Sequence, residues 1–231
     1  MKRNFRRLRL SHLGFAALLL ALIGMQACAP SRYIRPLEKG EKAISVTLGG
    51  PLFTNFGYPM PIPLTTVTGA YGIKEDLTGF AALHPTSAGF GVIQMDLGIS
   101  KAFLRPAGWK PGFTASPILG FAADVWEGHF KLWPQLDLNA WWEYGERKHF
   151  VYAGLSSWFE LAGKRAHSEP QPQVILPGFQ IGNTWSFGSV DYQLEIKASN
   201  ISRNSGKATI EWVGIGGNGG VGIYLGVTKR F

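Results

Sequence analysis

The sequence predicts an all-β protein, folded as an antiparallel up-and-down transmembrane β-barrel of about ten strands. Apolar and non-apolar residues alternate with a period of two along most of the chain after residue 41, which is typical of strands with two different faces. No stretch after residue 27 combines the i, i+3, i+4 apolar spacing of a helix with a cap residue. The length of 231 residues fits one domain.

The strand count depends on which segments pair. The predicted strands lie at 44–49, 64–73, 77–84, 93–100, 113–126, 132–140, 150–161, 174–187, 190–197 and 221–231. A further candidate at 207–215 is assigned to a loop at 199–220, because bacterial single-chain barrels have an even number of strands. Three prolines place 54–63 in a loop, since proline lacks the N–H that ladder pairing needs. Eight strands is the alternative if the proline-bearing segments do not pair.

Connection lengths predict an orientation. Long or proline-rich connections at 51–63, 85–90, 162–172 and 199–220 alternate with shorter ones near 74–76, 104–111, 145–148 and 187–189, and the short connection from Glu127 to His129 is the exception. Outer-membrane barrels have short periplasmic turns and longer outer loops. We therefore expect the shorter connections on the periplasmic side.

Alternation also predicts which side chains face lipid. In a membrane barrel, the lipid-facing set is Leu97, Leu136, Leu138, Leu194 and Leu225, and the lumen-facing set is Asp96, Asp137, Asp191 and Glu195. A soluble, lipocalin-like barrel would reverse these faces and enclose an apolar ligand. Aromatic residues near strand ends favour the membrane, because interfacial girdles are built from them. They are Trp126, Trp133, Trp141, Trp142, Tyr144, Trp158, Trp185 and Phe187. A ten-stranded lumen is narrow, so we expect a filling of hydrogen-bonded and ion-paired side chains.

The final strand, Val221 to Phe231, carries a further signal. It resembles the C-terminal signature of bacterial outer-membrane β-barrels, whose last strand ends in an aromatic residue. The resemblance implies that this strand closes the barrel against the first strand, that Phe231 completes it, and that the barrel assembly machinery reads it. It also implies a location in the outer membrane of a Gram-negative bacterium, with outer-membrane lipid as a partner.

The N-terminal residues predict export and lipid anchoring. Residues 1–27 combine five basic residues with an uncharged apolar run from Leu13 to Met25, which is typical of a signal peptide. The run Met25-Gln26-Ala27-Cys28 resembles the lipobox of bacterial lipoproteins, which implies acylation of Cys28 (palmitate). We expect residues 28–41 to form a lipidated tether and 42–231 the barrel domain. The alternative is a non-lipoprotein signal followed by a free thiol.

Charge and motif content exclude several classes of function. The net charge is +8, but after the signal peptide 18 basic and 15 acidic residues remain, a net charge of +3, so nucleic acid is not expected as a partner. His84, His129, His149 and His167 lack metal-site spacing, and no phosphate-binding loop or nucleophile elbow is present. We expect no metal and no cofactor.

One run near the C-terminus bears on catalysis. Lys197-Ala198-Ser199-Asn200, followed by Glu211, resembles the outer-membrane lipid A 3-O-deacylase family, which uses a His-x-Ser-Asn motif and a downstream glutamate. The resemblance implies Ser199 as nucleophile, Asn200 as oxyanion donor and Glu211 as orienting acid. Lys197 stands in place of the histidine, and a lysine with an ordinary pKa does not accept the serine proton. We therefore expect a structural or interaction protein rather than an enzyme. A barrel-type lipid hydrolase and a soluble lipoprotein barrel are the alternatives.

Overall fold

The computed structural model describes residues 29–55, 57–163, 170–205 and 211–231. The strands in these ranges are β1 (Lys42–Asn55), β2 (Tyr58–Pro61), β3 (Leu64–Lys74), β4 (Leu77–Leu83), β5 (Val92–Leu104), β6 (Gly112–Asp124), β7 (Phe130–Tyr144), β8 (His149–Phe159), β9 (Ile175–Phe187), β10 (Val190–Asn204) and β11 (Asn218–Arg230). A single helical turn, α1 (Pro85–Gly89), follows β4. Within the described ranges, no helix is long and apolar enough to cross a membrane.

Ten of these strands form a closed antiparallel barrel. Each strand from β3 to β11 pairs with its neighbour in sequence, and β1 pairs with β3 on one side and β11 on the other. The closing seam runs from Ala43 opposite Arg230 to Pro51 opposite Gly222. Beyond it, Lys42 and Phe231 exchange both backbone hydrogen bonds, at 3.2 and 2.8 Å. The predicted fold class, strand number and closure of first against last strand are therefore confirmed.

The connection after β1 differs from the prediction. Residues 54–63 were expected to form a loop, but β2 pairs with the end of β1, with Pro59 opposite Thr54 and Pro61 opposite Leu52. In the described part of the sheet, β2 has no strand on its other side. Proline is tolerated on such an edge strand, because the missing N–H is not needed for a second partner.

The two ends of the barrel differ in their connections. One end, the turn end, carries the connections at 75–76, 105–111, 145–148 and 188–189. At the other, the loop end, lie the carboxyl ends of β1, β4, β6, β8 and β10, together with β2 and α1. Two of the tight turns contain non-glycine residues with positive φ, Asp76 and Lys148. The predicted difference in connection length holds for most of the barrel, but the turn-end connection 105–111 is longer than the loop-end connection 125–129. The assignment of the turn end to the periplasm stays a prediction.

The two faces of the wall have the predicted register. Leu97, Leu194 and Leu225 are 54%, 36% and 58% exposed on the outside, whereas Asp96, Asp137 and Glu195 are 6%, 1% and 0% exposed in the lumen. Leu136 and Leu138 are half-buried on the outer face, and Asp191 is half-buried near the turn end. The barrel therefore has an apolar outside and a polar inside.

Three members of the predicted aromatic girdle lie elsewhere. Trp133, Trp141 and Trp158 are buried in the lumen, at 1%, 3% and 4% exposure. The first two share the strand face of Asp137, so the alternation of β7 turns them inward. Glycines of the neighbouring strand make room for them, since a Cβ at Gly120 would lie 2.3 Å from Cε2 of Trp133. Trp126, Tyr144 and Phe187 are exposed near strand ends, as predicted.

This packing gives a test of the fold. We expect Gly120→Ala to destabilise the barrel by about 1–3 kcal/mol, the range for overpacking, because Trp133 has to move. The matched control is Gly69→Ala, also in a strand, where nothing lies within 4 Å of an added Cβ. Urea titration, read by the migration of folded barrel on cold gels, measures both. Equal midpoints for the two variants would contradict the packing of Trp133 against Gly120.

Candidate functional site

The candidate site is the lumen together with residues 29–37, which lie inside it and are called the lumen segment. Side chains of three barrel strands bind its backbone: Ser100 Oγ donates to Tyr33 O, Thr114 Oγ1 donates to Ile34 O, and Leu37 N donates to Thr78 Oγ1, each at 2.7 Å. At the turn end, Gly40 N donates to Gly72 O at 2.8 Å. The segment expected to belong to a lipidated tether therefore enters the barrel at the turn end and runs along its interior.

The composition of the lumen segment suits this position. Pro30 and Pro36 disfavour helix and leave fewer backbone N–H groups to satisfy inside the barrel. Ile34 and Leu37 are buried, at 3% and 5% exposure. Ile34 packs in an apolar cluster whose other members are Trp141, Phe150 and Tyr152. Burial of apolar area and backbone hydrogen bonds to the wall together stabilise the segment in the lumen.

A first charged cluster joins the segment to one side of the wall. Arg32 donates to Asp96 Oδ2 at 2.7 Å, and His84 Nε2 lies 2.8 Å from the same oxygen. On its other side, His84 Nδ1 lies 3.3 Å from Thr66 Oγ1. His84, which lies between β4 and α1, is 8% exposed. The arginine that neutralises the buried carboxylate of Asp96 therefore belongs to the lumen segment and not to a strand of the wall.

A second cluster surrounds Glu195. Its two carboxylate oxygens both lie 3.1 Å from Ser31 N, and Tyr152 Oη donates to it at 2.8 Å. Gln193 Nε2 donates to Tyr152 Oη at 2.7 Å and to Ser31 O at 3.1 Å. The lumen segment thus supplies both a donor and an acceptor to this network.

The ion pair of Lys197 and Asp137 lies on the same lumen face. Their charged atoms are 3.6 Å apart, and both side chains are almost fully buried. Gln135 donates to Asp137 at 2.9 Å, and Lys197 Nζ donates to Ala29 O at 3.4 Å. The predicted filling of hydrogen-bonded and ion-paired side chains is present, and the backbone of the lumen segment completes it.

An apolar layer lies on the loop-end side of these charges. It consists of Val92, Ala122, Trp133, Trp158 and Leu176. The two indole rings have centroids 5.5 Å apart. All five residues belong to the consecutive strands β5 to β9, so the layer covers one half of the wall.

A cavity of about 670 Å³ opens at the turn end. The lumen segment forms part of its lining, and charged residues of both signs surround it. Arg35 donates to Glu143 at 3.3 Å and to Ser186 Oγ at 3.0 Å within this region. At the rim, hydrogen bonds from Arg105 to Asp76 and Glu75 raise the pKa of its guanidinium group.

The residues of the proposed hydrolase motif do not form a connected set in the described ranges. Ser199 is half-buried and pairs with Gly178 and Gly220. Asn200 has a positive φ of 58°, and its Oδ1 is buried without a hydrogen bond. Glu211 is exposed, and its backbone oxygen accepts from Thr54 N at 2.9 Å. No hydrogen bond among the described side chains joins Ser199 to Lys197, Asn200 or Glu211, so its catalytic role stays a prediction.

Two further residues were predicted to have a role, Cys28 in lipid anchoring and Phe231 in closing the barrel. Cys28 lies outside the described residues. Phe231 lies beside Lys42 at the seam, with its ring 69% exposed and 5.9 Å from Lys229 Nζ. In the described ranges, no group of three or more His, Cys, Asp or Glu side chains is arranged to hold a metal ion.

No protein-family model matches the chain, and no curated protein matches it. Among solved structures, the chain is similar to the translocator domain of the autotransporter NalP from Neisseria meningitidis, with 11% identity, a TM-score of 0.48, and coverage of 86% of this chain and 91% of that one. It is also similar to Pseudomonas aeruginosa OccK3 (OpdO), with 10% identity, a TM-score of 0.35, and coverage of 88% and 67%. The description of the fold depends on the strand pairing of this chain itself.

Proposed function

We propose that the chain is an integral barrel of the bacterial outer membrane with a structural or interaction role. The observation that carries the proposal is the sorting of residues across the wall. Large apolar side chains are exposed along the outer faces of consecutive strands, for example Ile44, Val46 and Leu48 on β1, Leu97 and Ile99 on β5, and Leu225 and Val227 on β11. Water does not favour such a surface, whereas the hydrocarbon core of a bilayer does.

A soluble barrel that carries an apolar ligand is not supported by this geometry. That alternative requires Ile93, Leu97, Leu136 and Leu194 to line the lumen, but none of the four is buried in it, and the first two are 47% and 54% exposed outside. The lumen is occupied by charged side chains and by the lumen segment. An apolar ligand would meet buried carboxylates there, which is unfavourable.

Single-cysteine probes test the membrane position. In a Cys28→Ser background, we expect a fluorescent probe at Leu225→Cys to be quenched by lipids that carry a quencher in their acyl chains. A probe at Thr228→Cys should respond instead to a water-soluble quencher, because Thr228 lines the cavity at the turn end. Equal response of both sites to the lipid quencher, or no response at residue 225, would contradict a membrane barrel.

We propose further that Cys28 is acylated, on the strength of the lipobox-like sequence before it. The position of the lumen segment sets a condition on this anchor. Ala29 O is 3.4 Å from the buried Lys197 Nζ, and a closed wall separates the lumen from lipid. Acyl chains on Cys28 would therefore reach the bilayer only if residues 29–37 leave the lumen, so membrane anchoring by these chains and occupancy of the lumen by the segment are alternative states of the chain.

Metabolic labelling with palmitate tests the anchor. We expect the wild-type chain to take up label and Cys28→Ala to take up none. Label that persists on the variant, or a wild-type chain that is never labelled, would contradict acylation at this residue. Neither result affects the assignment of the barrel itself, which the quenching experiment tests separately.

A further inference from the structure

The lumen segment fills the barrel without being part of its wall. Residues 29–37 pair with no strand in the described part of the structure, and they are held mainly by side chains of the wall. The sheet of the barrel is closed by backbone hydrogen bonds between β1 and β11, in which the segment takes no part. The wall can therefore keep its ladder pairing when the segment is absent.

We propose that the lumen is a cation-selective ion pathway and that the lumen segment is its plug; the proposal assumes the membrane position argued above. The charges on the wall indicate the selectivity. Four carboxylates of the barrel are buried: Asp96, Asp137, Glu160 and Glu195. Lys197 pairs with Asp137 and Lys131 pairs with Glu160, so in the described part of the barrel Asp96 and Glu195 have no ion pair with a lysine or arginine of the wall. Acidic side chains that line a pore favour cations.

The segment satisfies the excess acid on this wall. Arg32 binds Asp96 at 2.7 Å, and Ser31 N lies 3.1 Å from both oxygens of Glu195. When the segment is withdrawn, Asp96 keeps its contact with His84 and Glu195 keeps its hydrogen bond from Tyr152, but each loses one donor, whose place water or a mobile cation can take. The segment therefore occupies the place that a passing cation would take.

The shape of the interior provides a route. The cavity of about 670 Å³ at the turn end is bounded on its inner side by the segment itself, including Ile34 and Leu37. Removal of the segment joins this cavity to the acidic part of the lumen. Further along, the apolar layer around Trp133 and Trp158 comes from β5 to β9, so the proposed route runs along the remaining strands.

The fit between segment and wall is incomplete. Two buried polar atoms of the segment, Oγ of Ser31 and Nε of Arg32, have no hydrogen-bond partner. Burying a polar atom without a partner is unfavourable, because the atom gives up its hydrogen bonds to water. Water that enters on withdrawal would satisfy these atoms and so offset part of the cost of breaking the hydrogen bonds between segment and wall.

Conductance in planar bilayers tests the proposal. All variants consist of residue 28 onward with Cys28→Ser, refolded without acyl groups. We expect the parent chain to give no steady conductance, and deletion of residues 30–38 to give discrete conductance steps. In a KCl gradient the reversal potential should shift toward that of K⁺. A synthetic peptide of residues 29–41, added on the turn-end side, should block the current.

A point variant without the deletion tests the plug if the deletion variant does not fold. Arg32→Asp places a carboxylate beside Asp96 and should expel the segment, giving the same conductance. The matched control is Lys39→Asp, which makes the same change of charge at an exposed residue outside the lumen and should stay silent. Asp96→Asn and Glu195→Gln in the deletion background should weaken the preference for K⁺.

Each outcome decides one part of the proposal. Probe quenching at residue 225 first establishes that each variant is in the bilayer, so its failure counts against the membrane barrel and not against the plug. An inserted Arg32→Asp or deletion variant without conductance would overturn the plug, as would a parent chain that conducts equally well. Conductance that prefers chloride would overturn the cation selectivity.

Discussion

Lys197→Met is expected to destabilise the folded barrel by about 3–5 kcal/mol, the range for removing one partner of a buried ion pair. Lys197 and Asp137 are 1% and 2% exposed, and their charged atoms are 3.6 Å apart. Methionine fills a similar volume but leaves the carboxylate of Asp137 without its cation. Glu195, two residues away on the same strand face, also loses a nearby positive charge. Urea titration of the refolded barrel, read by migration on cold gels, measures the loss.

A double variant separates lost charge pairing from lost packing. Adding Asp137→Asn to Lys197→Met removes the unpaired negative charge and should restore part of the stability, because a neutral amide is less costly to bury. A single variant that loses less than about 1 kcal/mol would match an exposed ion pair instead, and would contradict the buried position of Lys197. If the double variant is no more stable than Lys197→Met alone, the loss of stability comes from lost packing and not from the unpaired charge.

Leu225→Arg is expected to cost about 2–4 kcal/mol, the range for arginine at the lipid face near the bilayer midplane. Leu225 is 58% exposed and lies in the middle of β11, opposite Leu48 of β1 and Leu194 of β10. Its neighbours on both strands are apolar and exposed, so they offer the guanidinium group no partner. Urea titration in lipid vesicles measures the loss.

The control for this prediction is the same substitution at Leu161. Leu161 is 61% exposed but lies outside the strands, just beyond the end of β8 at the loop end. Arginine near the membrane interface costs about 0–1 kcal/mol. Equal losses at residues 161 and 225 would mean that the outer face does not contact hydrocarbon.

The strand pattern was predictable from the sequence because apolar and polar residues alternate along a strand according to the face on which each side chain lies. Ten strands, their order and the inward position of Asp96, Asp137 and Glu195 follow from a period of two and from the need to close the sheet. The inward position of Trp133 and Trp141 could also have been predicted from the sequence, since both share the strand face of Asp137. The expectation of an interfacial girdle weighed residue type above strand register, and it was wrong for these residues.

The lumen segment was harder to predict, because its partners are distant in sequence. Arg32 binds Asp96, 64 residues away, and Ser31 binds Glu195, 164 residues away. One signal was available: the predicted lumen set contained more carboxylates than cations, and a narrow lumen needs them paired. The sequence does not indicate which basic residue supplies the charge, because spacing along the chain carries no information on pairing at that range.

The seam between β1 and β11 also governs the order of folding. Ala43 pairs with Arg230, so the barrel joins the two ends of its sequence and cannot close until the last strand is present. Pairings at such separation form late and slowly. The wall side chains that bind residues 31–37 come from β4, β5, β6 and β10, so their full arrangement exists only after those strands have assembled. Refolding should therefore show two successive events, with these residues losing their sensitivity to protease only after the barrel has closed.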